Sequence, residues 1–253
     1  MIRLKTRDEI LRIREAGIIV HDTLQQIRRL VAPGITTAEL DRFAKDYVES
    51  RGGIPAFLGY LDYPASLCVS VNHEVIHGIP GRLKLTQGDI VSLDIGVNLK
   101  GFYSDGAITV GVGRISKERE RLIQTAEECL QVGIQQMVPG NRVNDVSAAI
   151  HEHARSAGYD VVRQYCGHGV GYSQHEEPQV PNYGTSGSTP RLRSGMVIAL
   201  EPMVNEGTWE VEVLEDGWTV VTVDHRDAAH AEHTVAMLGD QALVLTSNDT
   251  RDI

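Results

Sequence analysis

The chain has 253 residues, of which 42% are hydrophobic, so it can bury a substantial core in one large domain or two small ones. Its formal net charge is -10 and its isoelectric point is near 5.4, and no run of like charges forms a tail. This balance argues against wrapping by nucleic acid, and no sequence-specific nucleic acid is expected as a partner. A small ligand or a peptide is the expected partner.

The cysteines and the N-terminus indicate where the protein resides. Cys68, Cys129 and Cys166 are odd in number, far apart and in no CxxC pair, which is typical of a reducing compartment. The N-terminus MIRLKTRDEI lacks the apolar core of a leader, and no stretch approaches the roughly 18 apolar residues of a membrane span. We therefore expect a cytoplasmic protein that does not cross a membrane.

Helical patterns come first along the chain. Apolar residues at helical spacing predict a helix across residues 10–27, which the Pro-Gly pair at 33–34 ends. Thr36 or Thr37 can cap a second helix that runs to about Gly52. The first 30 residues also carry a local excess of basic residues, for which a solvated helix face is the simpler explanation and an anionic docking partner the alternative.

An internal similarity links the two halves of the chain. APGITTAELDRFAKDYVESRG at 32–52 aligns without gaps on VPGNRVNDVSAAIHEHARSAG at 138–158, and each copy follows a long predicted helix. Chance recurrence of Pro-Gly before an amphipathic helix is the alternative explanation. We predict a single domain, 1–253, made of two related α+β halves, roughly 1–112 and 113–253, with the functional site on their pseudo-two-fold axis.

Strand patterns, rich in Val and Ile and bounded by Gly or Asn, fill most of the remaining sequence. The predicted strands lie at 65–71, 90–97, 102–112, 196–204, 209–214, 218–223 and 229–238. Asp216-Gly217 is a hairpin turn signal, and 184–195 is predicted to be a surface loop. An antiparallel sheet covered by helices is the economical α+β architecture.

The segment SLDIGVNLKGFYSDGAITV contains two aspartates that a hairpin would bring together. If Leu99 and Lys100 form a two-residue loop, Asp94 lies directly opposite Asp105, about 5 Å away on the same face. A solvent-facing edge hairpin is the alternative, but apolar and small residues flank both acids. A pair of metal ions roughly 3.5 to 4 Å apart needs such a carboxylate pair.

Three further ionisable residues lie in apolar or glycine-rich surroundings. His168 stands between glycines, Glu201 lies in MVIALEPMV, and Glu232 lies in AHAEHTVAML. A lone loop histidine is more often simply exposed, but buried glutamates need partners, and no lysine or arginine is near either one in sequence. Four carboxylates and one imidazole would satisfy a pair of divalent metal ions.

The segment from His73 to His77 matches HExxH, a zinc-protease signature that requires a helix. Here the preceding LCVSVN is strand-like, Val75 and Ile76 are β-branched, and Gly-Ile-Pro follows at once. We therefore disfavour a zinc site built on this motif.

Taken together, the chain resembles the bacterial type I methionine aminopeptidases over essentially its whole length. The resemblance rests on VNHEVIHGIP, SLDIGVNLKGFYSDGAITV, CGHGVG followed by HEEPQVPNYG, ALEPMV and AEHTV. It implies a pita-bread fold with two pseudo-symmetric halves around a dinuclear site. It also implies removal of the initiator methionine from nascent polypeptides whose second residue is small and uncharged. These enzymes are generally monomers, and the ribosome near its peptide exit is a further expected partner.

Carried over by position, the resemblance implies the metal ligands. Asp94 would chelate one metal, Asp105 and Glu232 would bridge both, and His168 and Glu201 would complete the other. The cofactor would be two divalent cations per chain, drawn from Co, Mn, Fe(II) or Zn. A water bridging them would attack the first peptide bond.

The resemblance also implies the catalytic and substrate-binding residues. Glu201 would relay a proton, and His77 and His175 would bind the scissile peptide and stabilise its tetrahedral intermediate. The methionine pocket would be lined by Tyr60, Tyr63, Cys68 and Trp218. Phe57 stands where some relatives have cysteine, and Gln174 where some have an aromatic residue, so a polar pocket wall would reshape methionine binding.

Two alternatives belong to other classes. Prolidases share this fold and these metal residues but generally add an N-terminal domain, for which the chain is expected to have no room. A metal-free binding protein of the same fold usually lacks some of the ligands, and here every ligand position is kept. On this interpretation His73 lies outside the site.

Overall fold

The computed structural model describes residues 1–184 and 188–248, so part of the predicted loop 184–195 lies outside the described residues. The α-helices of this part are α1 (Arg7–Leu30), α2 (Thr37–Ser50), α3 (Lys117–Gln135) and α4 (Val143–Ser156). The first two begin with capping boxes, in which Thr6 pairs with Glu9 and Thr36 pairs with Glu39. The predicted cap of the second helix is thus confirmed at Thr36, whereas the Thr6 cap of α1 was not predicted.

The two copies of the internal similarity adopt the same local structure. Helices α2 and α4 each have 14 residues, and each follows a long helix and a Pro-Gly turn. The helices that precede them, α1 and α3, have 24 and 19 residues. Whether the halves arose by duplication stays a prediction.

The strands of the described residues assemble into one large sheet and two small ones. In chain order they are β1 (Ile54–Pro55), β2 (Cys68–Val71), β3 (Glu74–Ile76), β4 (Ile90–Leu99), β5 (Phe102–Gly111), β6 (Asp160–Val161), β7 (Cys166–Gly169), β8 (Glu176–Pro181), β9 (Val197–Leu200), β10 (Met203–Asn205), β11 (Val211–Val213), β12 (Val220–Thr222), β13 (Ala228–His230), β14 (Glu232–Leu238) and β15 (Gln241–Val244). The nine-stranded antiparallel sheet has the order β1-β4-β5-β14-β9-β7-β8, with β2 beside β4 and β15 beside β14. A curved antiparallel sheet under two helix pairs is the expected pita-bread architecture.

The β4–β5 hairpin turns one residue later than predicted. Its loop is Lys100-Gly101, and both residues have positive φ, 52° and 86°, as a type I′ turn requires. Glycine adopts this conformation without strain, whereas Leu99 remains in the ladder opposite Phe102. The predicted Leu99-Lys100 loop is therefore wrong.

The corrected register separates the two aspartates by one diagonal step. Asp94 lies opposite Ala107, and Asp105 lies opposite Gly96, so the predicted direct pairing is wrong. Because the pairing shifts by two residues, both side chains still point to the same face. Diagonal neighbours on one face remain within reach of each other.

Two hydrophobic cores support the large sheet from the side that the helices cover. One lies between α1, α2 and strands β2, β4 and β5, and the other joins α3 and α4 to β9 and β14. Leu93 and Ile95 are fully buried in the first core. Since successive side chains of a strand alternate, Asp94 between them faces away from the helices.

In the described ranges, no helix combines the length and the apolar character that a membrane crossing needs.

A buried ion pair ties the N-terminal segment to the β7–β8 turn. Lys5 Nζ lies 2.7 Å from Glu176 Oε2, and the two side chains are 1% and 6% exposed. The other oxygen, Oε1, accepts the backbone N–H groups of Tyr172 and Ser173 at 2.6 and 3.0 Å. Glu176 thereby orders the turn that also carries His175.

Replacing Lys5 with methionine should leave the Glu176 carboxylate buried without its cation. Loss of one partner of a buried pair lowers the free energy of unfolding by about 3 kcal/mol. Urea unfolding of Lys5→Met against the wild type measures this difference. The matched control is Lys45→Met, since Lys45 lies 3.9 Å from Glu49 with both side chains about half exposed, and a change below about 0.5 kcal/mol is expected. Equal effects for both variants would contradict the prediction.

Candidate metal centre

The five predicted ligands come from five adjacent strands of the large sheet. Asp94 is on β4, Asp105 is on β5, Glu232 begins β14, Glu201 directly follows β9, and His168 is on β7. The sheet order β4-β5-β14-β9-β7 places these strands side by side. Residues scattered over the sequence therefore meet on one surface.

The register aligns the ligands in two neighbouring rows. Asp94 and Glu232 both pair with Ala107, which lies between them on β5. One pleat further along, Asp105 exchanges hydrogen bonds with Thr234, whose Oγ1 accepts the Asp105 N–H at 2.9 Å and donates to its carbonyl at 2.8 Å. Thr234 pairs with Ala199. That residue in turn pairs with His168 on β7.

The ligand atoms converge at metal-binding distances. Asp105, His168 and Glu232 each offer one atom, and these atoms lie within 4.8 Å of one another. His168 Nε2 is 3.4 Å from Glu201 Oε1 and 4.0 Å from Asp105 Oδ2. The Asp94 carboxyl group is close enough to those of Asp105 and Glu201 for their charges to raise its pKa. All five predicted ligands thus form one cluster, although their role as ligands stays a prediction.

Burial without countercharge dominates the electrostatics of this cluster. Desolvation, reinforced by the neighbouring carboxylates, raises the pKa values of Asp94, Glu201 and Glu232 well above their usual range. Desolvation also raises the pKa of Asp105 to about 7 and lowers that of His168 to about 3. Without a cation, these groups resist carrying charge at neutral pH.

The donor set fits divalent cations. Asp94 Oδ1 and Glu232 Oε1 are buried and have no hydrogen-bond partner. Among the described residues that line the surrounding cavity there is no lysine or arginine to balance the acids. Four carboxyl groups with one imidazole match the preferences of Mn, Fe(II), Co and Zn, and a cation would satisfy the unpaired oxygens.

Hydrogen bonds behind the ligands fix their orientation. His168 Nδ1 bonds to the carbonyl oxygen of Gly169 at 3.0 Å, which leaves Nε2 with a free lone pair toward the cluster. Asp105 Oδ1 accepts the N–H of Gly106 at 3.0 Å, and Asp105 Oδ2 accepts from Gln174 Nε2. Asn182 donates to the carbonyl oxygen of Glu201 at 3.0 Å.

The cluster forms the floor of a cavity of about 210 Å³. The cavity is lined by Phe57, Tyr60, Leu61, Tyr63, Cys68, His77, Asp94, Asp105, His168, His175, Glu201, Trp218 and Glu232. This set contains every site residue that the sequence predicted. An apolar, partly aromatic wall therefore adjoins a carboxylate-rich floor.

Two histidines stand between the wall and the floor. The His175 ring lies 4.1 Å from the His168 ring, centroid to centroid, and His175 Nδ1 is 2.9 Å from the Tyr60 hydroxyl. His77 packs edge-on against Trp218 at 6.0 Å. Burial lowers the pKa of His77 to about 4 and also lowers the pKa of His175, so both imidazoles are neutral at pH 7.

The HExxH segment forms a strand, because Glu74–Ile76 is β3, and His73 packs against His225. Sequence reasoning missed His230 altogether, and it placed Gln174 in the pocket wall rather than against Asp105. His230 is buried, and its Nε2 lies 4.0 Å from Glu232 Oε2. Its position two residues before Glu232, hence on the same side of an extended chain, was the available signal. The contact of Gln174 with Asp105 left no local signal, because it depends on the turn between β7 and β8.

This fold and this donor set define a metal-dependent hydrolase of pita-bread architecture. A profile of metallopeptidase family M24 matches residues 12–238. The methionine aminopeptidase of Clostridium perfringens is 50% identical over 246 residues, which are 97% of this chain and 99% of that protein. Methionine aminopeptidase 1 of Bacillus subtilis is 47% identical over 94% of this chain and 96% of its own length.

Solved structures give the same result. The methionine aminopeptidase of Thermotoga maritima superimposes with a TM-score of 0.96 at 44% identity, covering 98% of this chain and 100% of that one. The prolidase of Pyrococcus furiosus has a TM-score of 0.78 at 22% identity, covering 97% of this chain and 66% of that one, which shows a shared fold alone. The chain belongs to metallopeptidase family M24, and the predicted fold is confirmed.

The stability of the metal-free chain should fall as the pH rises from 6.5 to 8.5. Carboxyl groups with raised pKa values, such as Asp105 near 7, bind more protons in the folded state than in the unfolded state across this window. The buried histidines, whose pKa values are lowered, oppose this trend mainly below about 6.5 and progressively less above it, as the unfolded imidazoles lose their protons. Thermal melting of the metal-free chain should show a decrease of several degrees, which saturating Mn abolishes. Asp105→Asn should melt higher than the wild type at pH 8 without metal; a lower melting point would contradict the charge argument.

Single substitutions can distinguish the candidate metal centre from a zinc site built on the HExxH motif. Asp105→Ala should abolish both metal content and peptide turnover, because Asp105 lies at the middle of the cluster. His73→Ala should leave both nearly unchanged. Metal analysis of the purified variants, together with peptide assays, measures this contrast, and the reverse pattern would favour a zinc site on β3.

Proposed function

We propose that the chain hydrolyses the first peptide bond of polypeptides that begin with methionine, preferring a small and uncharged second residue. The observation that carries this proposal is one cavity in which an apolar pocket opens directly onto the carboxylate cluster. Tyr63 and Trp218 contact each other edge to face at 5.0 Å, and Cys68 lies beside them. A narrow apolar slot of this kind suits an unbranched, polarisable thioether side chain.

Two divalent cations are the proposed cofactor. Asp94, Asp105, His168, Glu201 and Glu232 would hold them. When bound, such cations supply Lewis acidity and a water molecule of lowered pKa. The crowded carboxyl groups support this number, because a single divalent cation would leave half of the negative charge of four carboxylates unbalanced.

Glu201 and the two histidines are the proposed catalytic groups. Glu201 has one oxygen near His168, and burial keeps its proton affinity high, which suits a group that accepts and returns a proton. The Tyr60 hydroxyl can donate to His175 Nδ1, which leaves an N–H at Nε2 for the substrate. A neutral His77 can likewise donate one hydrogen bond, so both rings can stabilise charge that develops on the scissile carbonyl.

Location and larger partners follow from the same proposal. Three cysteines without disulfides support a cytoplasmic enzyme, and a monomer is the proposed state. The ribosome is the least supported partner. Docking to its anionic surface would use the basic N-terminal residues, and one of these, Lys5, is already buried in its pair with Glu176. The basic excess at the N-terminus is therefore smaller at the surface than the sequence indicates.

A peptide assay tests the proposal against the alternatives. With Mn, Co or Fe(II) added, Met-Gly-Ser should lose its methionine and Gly-Pro should stay intact. Cleavage of Gly-Pro alone would favour a prolidase, and cleavage of neither would favour a binding protein. Met-Lys-Ser serves as the matched peptide for the second position, and its turnover should be at least tenfold lower.

A further inference from the structure

Gln174 is a buried amide beside the metal cluster that the proposed mechanism does not use. Its side chain is 2% exposed, and its Nε2 donates a hydrogen bond to Asp105 Oδ2. Its Oε1 has no hydrogen-bond partner. Exchange of the two amide atoms would set Oε1 against the Asp105 carboxyl group, so the donor orientation is the favourable one.

A glycine makes room for this contact. Gly96 lies opposite Asp105, and a Cβ there would lie 2.8 Å from Gln174 Oε1 and 2.8 Å from Phe57 Cε1. The side chains of Gln174 and Phe57 therefore share the space above Gly96. Phe57 lines the cavity, whereas the Gln174 amide turns toward Asp105. The sequence led us to expect a polar pocket wall at Gln174. In the structure the Phe57 ring lines the cavity instead, so this wall is apolar.

Hydrogen bonds and a buried ion pair hold the turn that carries Gln174. Glu176 accepts two backbone N–H groups of the same turn and pairs with Lys5. A side chain on an ordered turn can hold a neighbouring carboxyl group in one rotation. Because the terminal torsion of aspartate is soft, donors on both oxygens are needed to fix it. Gly106 supplies the donor to Oδ1, and Gln174 supplies the donor to Oδ2.

We propose that Gln174 is a positioning residue that orients the Asp105 carboxyl group for metal binding, while Phe57 forms the wall for the substrate side chain. The proposal rests on the proposed function in that Asp105 is taken as a metal ligand. The proposal assigns different roles to these two residues, which are neighbours in space. Position 174 should govern metal affinity, and position 57 should govern substrate affinity.

The test is titration of the metal-free chain with Co(II), followed by its visible absorption and by calorimetry. Gln174→Met keeps the length and packing of the side chain but removes the donor, and it should weaken metal binding about 10- to 100-fold. It should also alter the Co(II) spectrum while leaving the KM for Met-Gly-Ser within about twofold at saturating metal. Phe57→Leu should show the opposite pattern, a raised KM with unchanged metal affinity.

The matched control is Gln124→Met. Gln124 Nε2 also donates to a carboxylate, Glu128 Oε1, at 2.8 Å, but on the exposed face of α3. This variant should titrate like the wild type. Melting of the metal-free proteins checks folding. If Gln174→Met does not fold, Gln174→Asn, which keeps the amide but shortens its reach, should show the same loss of affinity.

Wild-type metal affinity in a folded Gln174 variant would overturn the proposal, and so would a raised KM with unchanged metal affinity. A wild-type chain that binds Co(II) but does not cleave Met-Gly-Ser would refute the proposed function, while the difference in Co(II) affinity would still decide the role of Gln174. A wild-type chain that binds no divalent cation would overturn both.

Discussion

The burial of four carboxyl groups on one face of an antiparallel sheet is the constraint on which the rest of the structure depends. Asp94, Asp105, Glu201 and Glu232 are held close together by backbone pairing, so they cannot move apart to relieve their repulsion. Helices cover the opposite face and bury the intervening apolar residues, which fixes the register of the strands. The fold therefore makes ionisation of these groups unfavourable, and a bound divalent cation would offset that cost. Such a site favours metal affinity over the stability of the metal-free protein.

Much of the site was accessible from sequence because its residues break local rules. An acid between Leu93 and Ile95, or in an apolar strand before Pro202, is anomalous wherever it occurs, and the anomaly points to a ligand before any fold is known. The start of α2 was predicted from its threonine cap, and the same Thr-x-x-Glu pattern at Thr6 could have located the start of α1, because such boxes act within one turn. Local chemistry thus marks both ordinary elements and exceptional residues.

Sequence reasoning failed where position depends on one residue of backbone geometry. The Leu99-Lys100 loop and the observed Lys100-Gly101 loop differ by one position, yet they change every partner across the hairpin. The prediction that Asp94 and Asp105 point to the same face still holds, because the register shifted by two residues. The prediction that they lie directly opposite each other does not. Contacts between distant segments were equally out of reach: neither the approach of Gln174 to Asp105 nor the Lys5–Glu176 pair has a sequence pattern. Both depend on where the β7–β8 turn folds back over the sheet.

The β7–β8 turn connects several parts of the site. Between Gly171 and Glu176 it carries an amide against Asp105, a histidine against the cavity, and the carboxylate that anchors Lys5. A disturbance of the anchor would therefore reach the orientation of Asp105 and the position of His175 together, although Lys5 touches neither. Precision at a metal ligand requires a rigid supporting residue behind it. If Asp105 is a ligand as proposed, the buried Lys5–Glu176 pair would supply that rigidity, and the missing side chain at Gly96 leaves room for the Gln174 amide beside Asp105.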